Sequence, residues 1–157
     1  MRILLAIDGS EHSEAVINEV YRQHFPADSE IRIISVIELP YIPYPSLNLP
    51  GGGVVSSRLY EELENTARAT VEKAAAKLRV DKKSQKLKVT TRVLSGLPKG
   101  VILEEAEAFG ADLIVMGSHG YGFLERFLLG SVSQAVVLHA KCSVEIVRCP
   151  KTQTSKS

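Results

Sequence analysis

The order of apolar runs and helical periodicities constrains the fold of this 157-residue chain more than any other feature of its sequence. Short apolar runs alternate with longer stretches in which apolar residues recur every three or four positions. The runs predict five strands, at Arg2–Ile7, Glu30–Ile37, Leu87–Val93, Asp112–Met116 and Ser143–Val147. Strands and helices that alternate in this way are joined by right-handed crossovers. The sequence therefore predicts an α/β fold, with an open, mostly parallel, doubly wound sheet and helices on both faces.

Four helices are predicted between these strands, and local signals mark several of their ends. Ser10 is suited to cap the first helix, because a serine oxygen accepts a hydrogen bond from a free N–H group of the first turn. Pro98 and Gly110 stand where the third helix is expected to begin and end. The third strand alternates apolar residues with Lys88, Thr90 and Arg92. One face of that strand is therefore expected to be wet, which places it near an edge of the sheet.

The chain shows no internal repeat and no boundary between two domains, so we predict one domain over residues 1–149. Residues 150–157 are polar, and we expect this tail to be disordered. The segment 38–54 contains four prolines and three consecutive glycines. Such a composition favours a long exposed loop. It would serve either as a lid or partner surface, or merely as a tolerated surface loop.

Composition limits the partners and the compartment. Lysine plus arginine number 19 and aspartate plus glutamate 18, so the formal net charge is +1. This balance gives no electrostatic reason to expect a nucleic acid or a membrane surface as partner. No apolar run approaches the roughly 18 residues of a membrane span. The two cysteines, Cys142 and Cys149, fit a reducing compartment better than a disulfide scaffold, and we predict a cytoplasmic protein.

The segment after the fourth strand carries the clearest chemical signal. It reads Gly117-Ser118-His119-Gly120, then nine residues, then Gly130-Ser131-Val132-Ser133 at the start of a helix. Glycines leave room for a ligand against the backbone, and the N–H groups of a helix N-terminus attract anions. The pattern thus favours phosphate binding, although glycines after a strand also serve simple turns. Neither a Walker A sequence nor the glycine triplet of the dinucleotide-binding fold is present.

This G-x2-G-x9-G-S motif, together with Asp8 at the end of the first strand, resembles the universal stress protein family. The similarity extends from Arg2 to Arg148 and includes the run 111–117 and Arg126. Arg126 would be either an ordinary exposed arginine, which is the default, or a phosphate contact. The resemblance implies a five-stranded parallel sheet in the order 3-2-1-4-5 and a homodimer. It also implies binding of ATP or a related adenine nucleotide, ADP or AMP, with or without Mg²⁺.

The resemblance assigns a role to twelve positions. Asp8 would bond the ribose or hold a metal through water, and the backbone of Val36 would contact the adenine edge. Residues 130–133 would hold the phosphates. The ends of the first and fourth strands would border the nucleoside, and His119 and Gly120 follow the fourth strand in the chain. The complete set is Ala6, Ile7, Asp8, Val36, Met116, Gly117, His119, Gly120, Gly130, Ser131, Val132 and Ser133. No residue is assigned as catalytic, and none as a direct metal ligand.

Three side chains, at His119, Glu145 and His12, lead to further expectations. His119 stands where the family often has arginine or lysine, so the charge near the phosphates is expected to depend on pH. Glu145 lies in the last strand, which often forms the dimer edge in relatives, and weakens the case for that dimer. His12, in the first helix, is expected to be solvated.

The resulting hypothesis is a stress-response sensor or switch that binds ATP, with little or no turnover and an unidentified protein partner. One alternative is a slow ATPase or a self-phosphorylating enzyme. Another is an interaction module that binds AMP, cyclic AMP or no nucleotide. The sequence supplies neither paired carboxylates nor a Ser-His-Asp pattern that would make catalysis necessary.

Overall fold

The computed structural model describes residues 1–38, 52–81, 87–119 and 129–149 of the chain. Several predictions fall outside these ranges: most of the loop expected at 38–54, the tail at 150–157, Gly120 and Arg126.

Five strands and four helices alternate along the described chain. Their bounds are β1 Arg2–Ala6, α1 Glu11–Arg22, β2 Glu30–Ile37, α2 Gly52–Asp81, β3 Lys88–Ser95, α3 Pro98–Phe109, β4 Leu113–Gly117, α4 Ser131–His139 and β5 Ser143–Val147. All neighbouring strands pair in parallel, in the order β3-β2-β1-β4-β5. The predicted fold and strand order are confirmed, and β3 lies at an edge as its alternating pattern indicated.

The predicted loop at 38–54 is wrong at its carboxyl-terminal end, because α2 already begins at Gly52. A glycine costs only about 1 kcal/mol relative to alanine in a helix. The 30-residue helix that follows can offset this cost, since each added residue contributes a further backbone hydrogen bond. The helix is also longer than the six turns that its apolar periodicity predicts.

Each face of the sheet is covered by two helices. Alternate residues of the central strand β1 point to opposite sides, as strand geometry requires. Ile3, Leu5 and Ile7 belong to the core under α1 and α2, and Leu4 and Ala6 belong to the core under α3 and α4. The first core includes the most deeply buried residues of the two helices: Val16, Val20, Val71, Ala74, Ala75 and Leu78.

Helix α3 begins at Pro98 and is closed by Gly110, as predicted. Gly110 has a φ of 65°, and its N–H donates to the carbonyl of Glu107 at 3.0 Å. A Cβ atom at this position would come within 2.8 Å of Arg2 Nη1. The left-handed backbone therefore selects glycine, and a side chain here would also displace the flexible end of Arg2.

A buried charged cluster joins α3 to the β2–β3 edge of the sheet. Glu105 accepts hydrogen bonds from Arg32 at 2.8 Å and from Arg92 at 2.9 Å, and its side chain is only 7% exposed. The Arg32 guanidinium also lies 4.0 Å from the ring centroid of Phe109. A buried carboxylate is tolerated here because two guanidinium groups compensate it.

Candidate functional site

A pocket of about 360 Å³ opens at the carboxyl ends of β1, β2 and β4. The chain proceeds from β1 to β2 and β3 on one side of the sheet, then crosses to β4 and β5 on the other. The loops after β1 and β4 therefore diverge from each other. In open α/β sheets such a reversal leaves a crevice, and ligands bind there.

Eleven of the twelve positions selected from the sequence line this one pocket, and Gly120 lies outside the described residues. Ala6, Ile7 and Asp8 come from the end of β1, and Val36 comes from the end of β2. The remainder follow β4 or open α4: Met116, Gly117, His119, Gly130, Ser131, Val132 and Ser133. The topology thus brings together three segments that are distant in sequence.

The turn between β1 and α1 is held by an internal hydrogen-bond network around Asp8. Asp8 Oδ1 accepts from the hydroxyl of Ser13 at 2.6 Å and from the N–H of Ser10 at 3.0 Å. Ser10 caps α1 as predicted, since its hydroxyl accepts from the N–H of Ser13 at 3.4 Å. Gly9 completes the turn with a φ of 87°. The carboxylate at the pocket wall is therefore held in a defined orientation.

The amino terminus of α4 forms the opposite wall. Gly130 is its N-cap, and no described side chain caps the first turn. The N–H groups of residues 131–133 have no carbonyl partner within their own helix, because a helix begins with free donors. They carry the positive end of the helix dipole, so this wall of the pocket favours an anion.

Two details of the predicted phosphate loop require correction. The N–H of Gly130 belongs to the segment that is predicted to hold the phosphates, but it donates to the carbonyl of Ser118 at 2.8 Å. The hydroxyl of Ser133 was expected to serve the ligand, but it is buried and donates to the carbonyls of Gly117 at 2.9 Å and Ser118 at 3.2 Å. A hydroxyl has one proton to donate, so Ser133 stabilises the loop. Ser131 is exposed and lines the pocket.

The packing of the protein itself favours glycine at position 117. A Cβ atom there would approach the Cβ of His12 to 3.0 Å and the carbonyl of His119 to 3.2 Å. Helix α1 thus occupies the space that the sequence alone attributed to a ligand.

His12 is half-buried, in contrast to its predicted solvation. Its ring centroid lies 5.5 Å from that of His119, and His12 Nδ1 is a buried atom without a hydrogen-bond partner. The first turn of α1 follows β1, which is the sheet neighbour of β4, and this topology places the two imidazoles together. His119 itself contacts the hydroxyl of Ser118 through Nδ1 at 3.1 Å.

Sequence reasoning missed five residues that also line the pocket. They are Ser13, Ile34, Glu38, Pro98 and Ile102. Ile34 and Ile102 are core residues by their pattern, and only the three-dimensional fold shows that one side of each faces a cavity. Ser13 had a local signal, since it stands five residues after a strand-ending aspartate and faces back toward it from the first turn of α1.

The charged groups of the described lining are unusual for a phosphate site. They comprise two carboxylates, Asp8 and Glu38, and one imidazole, with no lysine or arginine among the described lining residues. Attraction for an anion would therefore come chiefly from the N–H groups of α4 and from His119. The described residues contain no group of three histidine, cysteine or acidic side chains able to hold a metal ion.

The two cysteines lie away from this pocket. Neither is among its lining residues, and neither forms a disulfide. Burial, and secondarily the charge of Asp112, raises the pKa of the Cys142 thiol above its usual value. Cys142 is therefore a poor nucleophile near neutral pH. None of the described helices is long and apolar enough to cross a bilayer.

Comparison with known proteins places this architecture. The model of the universal stress protein family matches residues 1–148. The universal stress protein MJ0531 from Methanocaldococcus jannaschii is 34% identical over 152 residues, which cover 97% of this chain and 84% of that protein.

Solved structures give the same answer for the fold. Hypothetical protein MJ0577 superposes with a TM-score of 0.76 at 26% identity, over 94% of this chain and 95% of its own. A universal stress protein in complex with cAMP superposes with a TM-score of 0.57 at 22% identity, over 94% of this chain and 96% of its own.

A third structure extends the match over the whole chain. A universal stress protein family protein from Arabidopsis thaliana, with AMP bound, has a TM-score of 0.63 at 16% identity and covers 100% of this chain and 97% of its own. The fold is shared in all three cases, and the family match spans nearly every residue described above. The chain therefore belongs to the universal stress protein family.

Proposed function

We propose that this protein binds an adenine nucleotide, with ATP as the first candidate, and uses its occupancy as a stress-response switch with little or no turnover. One observation carries the proposal. Residues selected from three distant segments for nucleotide contact converge on one pocket at the reversal point of the sheet. Its volume of about 360 Å³ lies within the range of small-molecule sites.

The phosphates belong at the amino terminus of α4 in this proposal. The N–H groups of Ser131, Val132 and Ser133 open the helix, and the exposed hydroxyl of Ser131 adds a donor beside them. These groups bind an anion without a cationic side chain, because the helix dipole favours negative charge at this end.

The nucleoside belongs between the ends of β1, β2 and β4. Apolar side chains of Ala6, Ile34, Ile102 and Met116 line that part of the pocket and suit the face of a purine. The Val36 backbone would contact the adenine edge, and the fixed carboxylate of Asp8 would accept a hydrogen bond from the ribose. The cAMP and AMP carried by two proteins of the same fold support an adenine nucleotide.

A divalent cation fits this site as a companion of the phosphates. Mg²⁺ usually binds through one or two carboxylates, with phosphate oxygens and water completing its shell. As an alternative to bonding the ribose, Asp8 would hold such a cation through water, and Glu38 supplies a second carboxylate along the pocket. When bound, Mg²⁺ would neutralise phosphate charge that the acidic lining otherwise repels.

We assign a switch to this site because the described lining contains no lysine or arginine that would stabilise a phosphoryl-transfer transition state. A slow ATPase is the second candidate, and Asp8 is its general-base candidate. An AMP or cAMP module is the third, favoured by the ligands of the two structural relatives. Titration with several nucleotides separates these functions.

The same proposal includes a cytoplasmic homodimer. The two free cysteines suit a reducing compartment. Edge strand β5 and the neighbouring outer face of α4 offer a surface, where Val137 and Leu138 are exposed. Glu145 on β5 is held by Gln23 at 2.7 Å, so this carboxylate already has an intramolecular partner. Sedimentation with and without ATP tests the assembly.

The decisive experiment starts with protein purified without added nucleotide. Small molecules released from it are identified by mass spectrometry, and thermal unfolding is then followed during titration with ATP, ADP, AMP and cAMP. A ligand that binds only the folded protein must raise the melting temperature. At a concentration of 100 times its Kd, it increases the free energy of unfolding by about 2.7 kcal/mol. Phosphate release is measured on the same samples, and multiple turnover would favour the ATPase instead.

Ser131→Glu provides the matched variant. A carboxylate at the start of α4 is favourable for the helix dipole and should leave the fold as stable as before. It should nevertheless abolish stabilisation by ATP, because it places negative charge where the phosphates would lie. Gln134→Glu adds the same charge to the same helix at an exposed position outside the pocket lining and should retain most ATP binding. The proposal would be overturned if ATP raised the melting temperature of both variants equally, or if no nucleotide raised the melting temperature of the wild type.

A further inference from the structure

Ser13 has a hydrogen-bond arrangement that the requirements of helix α1 do not explain. The residue is 4% exposed and lines the pocket. Its hydroxyl donates to Asp8 Oδ1 at 2.6 Å and accepts from the N–H groups of Asp8 at 2.9 Å and Gly9 at 3.1 Å. One donor and two acceptor sites are all that a hydroxyl offers, so its capacity is fully used.

Helix capping does not account for this arrangement, because Ser10 already caps α1 through its own hydroxyl. A serine inside a helix has poor helix propensity, and its hydroxyl ordinarily bonds a carbonyl one turn back or faces water. In Ser13 the hydroxyl instead reaches out of the helix to the preceding turn. Its three partners are all at Asp8 and Gly9, at the wall of the pocket.

The hydrogen bonds of Ser13 restrict the orientation of the Asp8 carboxylate. Asp8 lies on the exposed side of its turn, where an aspartate side chain ordinarily samples several rotamers. Asp8 Oδ1 is held by the Ser13 hydroxyl and the Ser10 N–H, and the Ser13 hydroxyl also accepts from the backbone N–H of Asp8. Both the carboxylate and the backbone of Asp8 are therefore restrained. A fixed acceptor discriminates between ligands better than a mobile one, because no ordering cost reduces the gain from its hydrogen bond.

We infer that Ser13 is a positioning residue that fixes Asp8 as an acceptor for the sugar hydroxyls, so that the pocket selects ribonucleotides over deoxyribonucleotides. This inference rests on the proposed nucleotide site and adds to it a residue and a substrate class. It predicts that removing the Ser13 hydroxyl weakens discrimination at the sugar more than it weakens binding of the phosphates.

Discrimination is measured as the ratio of Kd values for 2′-deoxyATP and 3′-deoxyATP to that for ATP, by calorimetric titration of the full chain. We expect wild-type protein to prefer ATP over at least one deoxy analogue by about tenfold, the value of one hydrogen bond to a charged acceptor. Ser13→Ala should reduce that ratio to about threefold or less. Affinity for the deoxy analogue itself should change little, because that ligand has lost the hydroxyl that Asp8 would bind.

Control variants separate positioning from folding. Ser10→Ala removes the α1 cap while leaving the backbone N–H that bonds Asp8, so it should lower the melting temperature and leave the sugar ratio unchanged. Ser13→Thr retains a hydroxyl and should restore discrimination. Ser13→Cys has nearly the shape of serine with a weaker donor, and it serves where Ser13→Ala fails to fold.

Each outcome has a distinct meaning. Absence of ATP binding in the wild type would overturn the proposed function and this inference with it. Wild-type binding of ATP and both deoxy analogues with equal affinity would overturn only the inference. An undiminished ratio in folded Ser13→Ala or Ser13→Cys would do the same, as would an equal loss of discrimination in Ser10→Ala.

Discussion

The two serines in the first turn of α4 should respond in opposite ways to removal of their hydroxyls. Ser133 is buried, and its hydroxyl bonds the carbonyls of Gly117 and Ser118 across the loop. Ser131 is exposed at the pocket. We therefore predict that Ser133→Ala lowers stability with little effect on ATP affinity, whereas Ser131→Ala lowers affinity with little effect on stability.

The magnitudes follow from these contacts. Loss of a buried hydroxyl that serves two carbonyls costs about 1–2 kcal/mol. For a protein of this size each kcal/mol corresponds to about 2–4 °C, so the melting temperature of Ser133→Ala should fall by about 2–8 °C. An exposed substitution such as Ser131→Ala should stay within about 0.5 kcal/mol of wild type. Because Ser131→Ala loses a hydrogen bond to a charged phosphate, its Kd for ATP should rise about tenfold.

The assay pairs calorimetric unfolding of the free protein with ATP titration at a temperature at which both variants are fully folded. Ser133→Ala should then bind with a Kd within about threefold of wild type, as expected for an interaction of about 0.6 kcal/mol or less. The reasoning is refuted if Ser133→Ala melts like wild type and loses more affinity than Ser131→Ala. That result would mean that the Ser133 proton turns from the loop carbonyls to the ligand when the pocket is filled.

Three further predictions concern other groups of the structure. Glu105→Ala should lower the free energy of unfolding, measured in urea, by about 2–3 kcal/mol, because Arg32 and Arg92 lose their shared carboxylate. A loss below about 0.5 kcal/mol would contradict a stabilising role for this cluster. His119→Ala should raise the Kd for ATP by about threefold to tenfold in the same titration, because it removes an imidazole from the lining of the pocket. Iodoacetamide should alkylate Cys142 more slowly in the folded protein than in urea, because the raised pKa leaves less thiolate when folded, and mass spectrometry should find that this difference narrows once the pH exceeds the pKa of the folded thiol.

The fold was accessible from sequence because each signal was local and strong. The apolar run Leu113–Met116 and the β-branched Glu30–Ile37 have no helical alternative of adequate length, and Gly110 closes α3 with the backbone conformation that only glycine adopts readily. The start of α2 was missed for a physical reason. Proline and glycine lower local propensity, but a long helix gains a hydrogen bond for every added residue and can extend into such a segment.

The positions that line the pocket could also be predicted from the sequence, but the hydrogen-bond partners of its hydroxyl groups could not. A motif such as Gly130-Ser131-Val132-Ser133 marks a helix amino terminus, and it does not reveal which hydroxyl faces outward. That depends on the helical rotation of about 100° per residue and on where β4 ends. The same limit explains why the pairing of His12 with His119 was missed, since it requires the neighbouring positions of β1 and β4 in the sheet.

The hydrogen bonds of the pocket indicate how its two walls can act on a ligand. On one wall Ser13 fixes Asp8, and on the other Ser133 and the Gly130 N–H fix the loop after β4. These bonds are made by groups of the protein among themselves, so they do not depend on a ligand and would lower the ordering cost of the proposed nucleotide binding. Selectivity for the sugar and attraction for the phosphates would then reside in different walls, each braced by one buried serine. In the proposed switch, a ligand that contacts both walls would favour one separation between them, and that change in separation would be the simplest physical route from occupancy to a change of partner.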